Sequence, residues 1–123
     1  MPDHNTHVAG RPSAELVDVA HLLVEFWNRE DGRAFAGLFT PAAEYVTTAG
    51  ERLGGRYAIS QLIGMQKPVI QVRLVGQPSC SAGRLSFARV AVEAGKARSG
   101  RISCTCIPRG SGWLIEALHN DLD

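Results

Sequence analysis

The feature that most constrains this chain is its second half, where most residues from Val69 onward fall into four segments rich in β-branched side chains. These segments are Val69 to Gly76, Arg84 to Ala94, Lys96 to Ile107 and Trp113 to Asn120. The turn signals between them are short: Gln77-Pro78, Ala94-Gly95 and Arg109-Gly110-Ser111-Gly112. A parallel connection needs a crossover of a dozen or more residues, so strands this closely linked pair as an antiparallel meander.

The first half reads differently. Leu16, Val19, Ala20, Leu23, Phe26 and Trp27 recur at three- and four-residue spacing, with Asp18, His21 and Glu25 on the opposite side. That pattern predicts an amphipathic helix capped by Ser13 and running to about Arg29. Asp31-Gly32 breaks it, and a short second helix from Arg33 to Phe39 ends before Pro41. Glu44 to Thr48 reads as a strand that turns at Ala49-Gly50 into the return Glu51 to Leu53. Gly54-Gly55 opens a third helix from Arg56 to about Met65, with Lys67-Pro68 beyond its end. Helices in one half and long strands in the other make the class α+β rather than alternating α/β.

A chain of 123 residues supports one core, since two halves would each bury too little to offset chain entropy. We expect a polar tail over residues 1–12, with His4 and His7 in solvent, and one domain over 13–123. The formal charge is +1 and no window concentrates lysine and arginine, which argues against a nucleic-acid partner. Apolar stretches such as Leu22-Leu23-Val24 fall far short of the roughly 20 residues that span a bilayer, so no membrane segment is expected. The N-terminus lacks a basic region followed by an apolar one, which points to the cytoplasm. Cys80, Cys104 and Cys106 are odd in number and lack CxxC spacing, so buried free thiols are expected, and no metal. His21 with Glu25 sits on the polar helix face and reads as a solvated pair. Gly54-Gly55 carries no phosphate-loop signature, and no cofactor is implied.

The order of these elements, with Phe26-Trp27-Asn28, Phe35-Ala36-Gly37-Leu38-Phe39-Thr40-Pro41-Ala42-Ala43-Glu44-Tyr45, Gly54-Gly55-Arg56-Tyr57-Ala58-Ile59 and Gly112-Trp113-Leu114-Ile115 to His119-Asn120, resembles the nuclear transport factor 2-like superfamily. Within it the chain is most similar to the SnoaL-like branch and its SgcJ/EcaC-type bacterial proteins, over roughly residues 14 to 121. The resemblance implies a cone-shaped, curved, mostly antiparallel sheet packed against three helices around a pocket, usually paired as a homodimer through the outer sheet face. It leaves the activity open, because members include isomerases, cyclases, epoxide hydrolases and pure binding subunits.

Aligned on the ketosteroid isomerase motif, the general-base aspartate falls at Thr47, which cannot act as that base. The arginine and aspartate set of the epoxide hydrolases lacks its interior aspartates. On the last strand Trp113, Ile115, Ala117 and His119 share one face, and Leu114, Glu116, Leu118 and Asn120 the other. The first set is the more apolar, so it is expected inward, with His119 at the pocket mouth as the candidate acid/base. A structural histidine bonded to a backbone carbonyl is the plainer alternative. Tyr45 and Asn120 are candidate orienting groups, and Trp27, Thr47 and Trp113 candidate lining residues, with core packing the alternative for the aromatics. Arg73 and Arg89 mark an outward or interface face; a buried guanidinium would instead need a carboxylate partner, for which Glu93 or Glu116 are candidates, and ion pairing across the sheet is the plain explanation.

Two functions follow. One is a pocket for a small hydrophobic, aromatic or polycyclic molecule, with cofactor-free proton transfer by His119. The other is a non-catalytic binding or dimerisation module, which the threonine at position 47 favours.

Overall fold

The computed structural model describes residues 15–65 and 70–122. The tail over 1–12, the Ser13 cap, Lys67-Pro68 and the start of the first meander strand at Val69 lie outside the described residues. The elements run α1 (Leu16–Asn28), α2 (Gly32–Ala36), β1 (Phe39–Val46), β2 (Arg52–Gly54), α3 (Gly55–Gly64), β3 (Gln71–Ser81), β4 (Arg84–Glu93), β5 (Lys96–Arg109) and β6 (Gly112–Leu122). All six strands form one curved sheet in the order β2-β1-β6-β5-β4-β3. The meander β3 to β6 is antiparallel throughout, while β1 lies parallel to β6 and antiparallel to β2. The class is α+β with a mostly antiparallel sheet.

Local chemistry explains the helix break. Glu30 takes a left-handed conformation with φ of 57°, and Asp31 then caps α2 by accepting from the Ala34 amide at 3.0 Å. The hairpins at Ala82-Gly83 and Ala94-Gly95 have positive φ at both central residues, which matches the right-handed twist of the strands they join.

Two strands run further than the sequence predicts. β1 begins at Phe39 and passes through Pro41, where its ladder with β6 is irregular between Phe39 and Glu44 and Pro41 is exposed. β3 continues past Gln77-Pro78 to Ser81, slipping register between Val75 and Ser79. Proline is tolerated there because β3 is a sheet edge and the ladder is already interrupted.

The concave face is solid at one end, where Phe39, Ile59, Leu85, Phe87, Ile115 and Val19 are sealed from solvent. Cys104 and Cys106 belong to this core as free thiols, whereas Cys80 is exposed. Burial pushes the Cys106 thiol up to about 12 and raises that of Cys104 as well.

The last strand departs from strict alternation. Cys106 pairs with Ile115 but Thr105 pairs with Ala117, so Glu116 is an extra residue facing no partner. Ile115 points into the core before this bulge; after it Leu118 packs into the core, and Asn120 and Leu122 line the cavity. The inward set expected from alternation is therefore corrected beyond Glu116. A one-residue insertion exchanges the two faces of everything that follows.

Candidate functional site

At the other end of the concave face the helices and sheet enclose a cavity of about 560 Å³. Leu23, Val24 and Trp27 of α1 form one wall, Leu62 and Met65 at the end of α3 another, and Val72, Ala91, Ile102 and Leu118 the sheet floor. The end of α1 is pinned over this space by polar contacts to the β3 edge. Trp27 donates its indole N–H to the Ile70 carbonyl at 2.8 Å. Asn28 donates to the Val72 carbonyl and accepts from the Val72 amide, both at 2.7 Å, and so continues the ladder that β3 lacks on that side. Phe35 meets the Trp27 ring edge-on at 5.7 Å between centroids.

The cavity has a buried polar end, built from three strands. Arg89 of β4 is only 2% exposed, and its guanidinium reaches across β5. Nε and Nη2 donate to Asn120 Oδ1 at 3.1 and 2.8 Å, Nη2 to the Asp121 carbonyl at 3.0 Å, and Nη1 to the Arg98 carbonyl at 3.2 Å. A buried guanidinium is stable only when its protons are satisfied in this way. Its path requires Gly100, which pairs with Arg89 in the ladder: a β-carbon there would stand 2.6 Å from the guanidinium carbon. Asn120 completes the chain by donating Nδ2–H to the Tyr45 hydroxyl at 3.3 Å. Burial pushes the Tyr45 phenol up to about 12, against a smaller opposing pull from the Asn120 hydrogen bond.

Glu51, Glu93, Lys96 and Arg98 line the cavity at its rim, all exposed to solvent. Tyr45, Asn120, Trp27 and Thr47 all border the cavity. Thr47 stands at the rim, its Oγ1 accepting from the Glu51 amide at 3.1 Å. Trp113 is away from the cavity, partly buried against the core beside Gly83. His119 points outward, opposite to the expected direction, because the Glu116 bulge inverts the strand's faces. Its side chain is 54% exposed and its Nε2 lies 3.0 Å from Asp121 Oδ1. Arg73 is exposed, whereas Arg89 takes the buried alternative, its guanidinium donating to Asn120 Oδ1 and to the Arg98 and Asp121 carbonyls. A charged residue amid the apolar segment Leu85 to Val92 is the signal that marked Arg89, but the neighbouring-strand glycine that admits it leaves no trace of its role in the linear sequence. Glu25 pairs with Arg29 at 3.2 Å.

Among the described residues no group of three or more His, Cys, Asp or Glu side chains is placed to hold a metal ion. No helix among them is long and apolar enough to cross a membrane.

No family model matches the chain, and no curated protein matches it in sequence. Solved structures do match in shape. ActVI-ORFA from Streptomyces coelicolor is 16% identical, with 89% of this chain and 96% of that one covered at a TM-score of 0.74. A protein described as a candidate ketosteroid isomerase from Kribbella flavida is 13% identical, covering 87% of this chain and 76% of its own at 0.75. An NTF2-like protein with a cystatin-like fold from Novosphingobium aromaticivorans is 18% identical, with 88% and 79% covered at 0.70. At these identities the likeness is one of fold, and the chain has the NTF2-like, cystatin-like fold.

Proposed function

We propose that this chain binds a small, largely apolar molecule, aromatic or polycyclic in character, in the cavity between α1, α3 and the sheet, with Tyr45 and Asn120 orienting an oxygen of the ligand. The observation that carries this reading is a cavity of about 560 Å³ with largely apolar walls, a charged rim and, among the described residues, a buried polar cluster of Arg89, Asn120 and Tyr45. Small-molecule sites combine such walls with a few convergent polar groups, in volumes of roughly 300–1,000 Å³.

Binding without turnover is the better supported of the two functions. Proton abstraction needs a base within reach of the ligand. His119 faces away, and position 47 holds threonine. Among the described residues lining the cavity the carboxylates are Glu51 and Glu93, both exposed at the rim. The phenol of Tyr45, raised to about 12, stays protonated at neutral pH and acts as a donor.

Ala91→Phe tests the reading, because Ala91 lines the sheet side of the cavity and a phenyl ring there occupies the ligand's space. Calorimetric titration with a panel of bicyclic and tricyclic aromatics should show micromolar binding to the native chain and at least tenfold weaker binding to the variant. Equal affinity in a variant that melts like the native chain would place the ligand elsewhere.

A further inference from the structure

The hydrogen-bond chain at the cavity's polar end has a fixed direction, and that direction says what kind of oxygen it can receive. Arginine only donates, so the Asn120 atom facing Arg89 must be the carbonyl oxygen, as the two bonds at 3.1 and 2.8 Å require. The amide nitrogen is thereby turned to Tyr45, and as a pure donor it makes the phenol oxygen an acceptor. The Tyr45 hydroxyl proton is then left pointing away from Asn120, in a residue that borders the cavity. Three strands thus impose one polarity, from Arg89 through Asn120 to Tyr45, a core residue 2% exposed at the border of the cavity.

We propose that the cavity selects ligands by a hydrogen-bond-accepting oxygen, a ketone or quinone carbonyl, and discriminates against the corresponding alcohol. This rests on the binding reading above and names its ligand class. A carbonyl oxygen takes the Tyr45 proton and leaves nothing unsatisfied. An alcohol oxygen also accepts it, but brings a proton of its own to an apolar space where Asn120 Oδ1 is already engaged by Arg89. Leaving a buried donor unpaired costs the desolvation of that group. Asn120 and Arg89 are positioning residues, acting on the ligand through Tyr45.

The experiment uses the full chain and three probes sharing one rigid skeleton: 9-fluorenone, 9-fluorenol and fluorene. The native chain should bind the ketone about tenfold more tightly than the alcohol or the hydrocarbon. Tyr45→Phe should bring the ketone down to the hydrocarbon's affinity. Asn120→Asp is the decisive variant, because a carboxylate accepts from both neighbours. It keeps its bonds to Arg89, turns the Tyr45 proton toward itself, and leaves the phenol oxygen as an acceptor. The preference should then invert toward fluorenol. The infrared carbonyl band of bound fluorenone gives a second readout that does not depend on the stability of Asn120→Asp: it should lie at lower frequency in the native chain and return to its apolar-solvent position in Tyr45→Phe. Affinities within threefold for the three probes, a ketone preference that survives Asn120→Asp, or an unshifted carbonyl band would each overturn the selectivity while leaving the binding site standing. Failure of all three probes to bind would remove the cavity reading and this inference with it.

Discussion

Replacing Gly100 by alanine tests whether the Arg89 crossing organises this end of the sheet. Gly100 is outside the left-handed region, so an added methyl group brings no backbone strain, and within a strand it would ordinarily be neutral or slightly stabilising. In this fold the methyl would meet the Asp121 carbonyl oxygen most closely, and would stand 2.6 Å from the guanidinium carbon and from Nη2. Three hydrogen bonds converge beside it, two at Asn120 Oδ1 and one at the Asp121 carbonyl. Bonds from a charged donor contribute about 1.5–3 kcal/mol each, and displacement of the group weakens them rather than deleting all. We expect a loss of about 3 kcal/mol by urea unfolding, which for a domain of this size corresponds to roughly 10 °C in Tm. The control is the same substitution in an Arg89→Met background, where the guanidinium is gone and only the Asp121 carbonyl still meets the methyl. There the cost of Gly100→Ala should shrink by at least about 1.5 kcal/mol, since neighbours in one network are not additive. A loss below about 1 kcal/mol in the native background, or the same loss in both, would refute the account of Gly100 as clearance for Arg89.

The Tyr45 phenol makes stability pH-dependent at the alkaline end. Its folded value of about 12 lies above the ordinary 10.0, so its contribution is intact below pH 10 and is lost as pH rises toward 12, a fall of roughly 2–3 kcal/mol. Urea midpoints at pH 9 and pH 11.5 should fall further in the native chain than in Tyr45→Phe, and parallel falls would show that the phenol ionises freely in the folded state. Asn28→Ala should cost about 2 kcal/mol by removing the two 2.7 Å bonds to β3. It should also speed hydrogen exchange at the Val72 amide, and unchanged protection of that amide would show that Asn28 does not hold the strand edge.

The meander is legible in the sequence because its determinants are local. Ala94-Gly95 marks a tight turn, the segments on either side alternate, and Cys104 and Cys106 fall on the same buried face as period two demands. The α1 stripe is legible for the same reason, since Val19, Ala20 and Leu23 lie within two turns of one helix. What escapes is decided between segments distant along the chain. Nothing in Ile115-Glu116-Ala117 marks a bulge: there is no glycine or proline, and the extra residue arises where Thr105 and Cys106 of β5 change register with β6. That single residue moves Asn120 into the cavity and His119 out of it. The acid/base expected at position 119 and the polar chain found at 120 are thus two outcomes of one register choice. Arg89 shows the same limit from the other side. Its place among apolar residues marks it as unusual, but its burial depends on Gly100 across the ladder and on the carbonyl oxygen of Asn120 one strand further on. Alternation along β4 alone cannot supply that oxygen. A buried charge in a strand is therefore best read together with the glycines of the strand beside it, because the pair, and not the charge, decides which way the side chain goes.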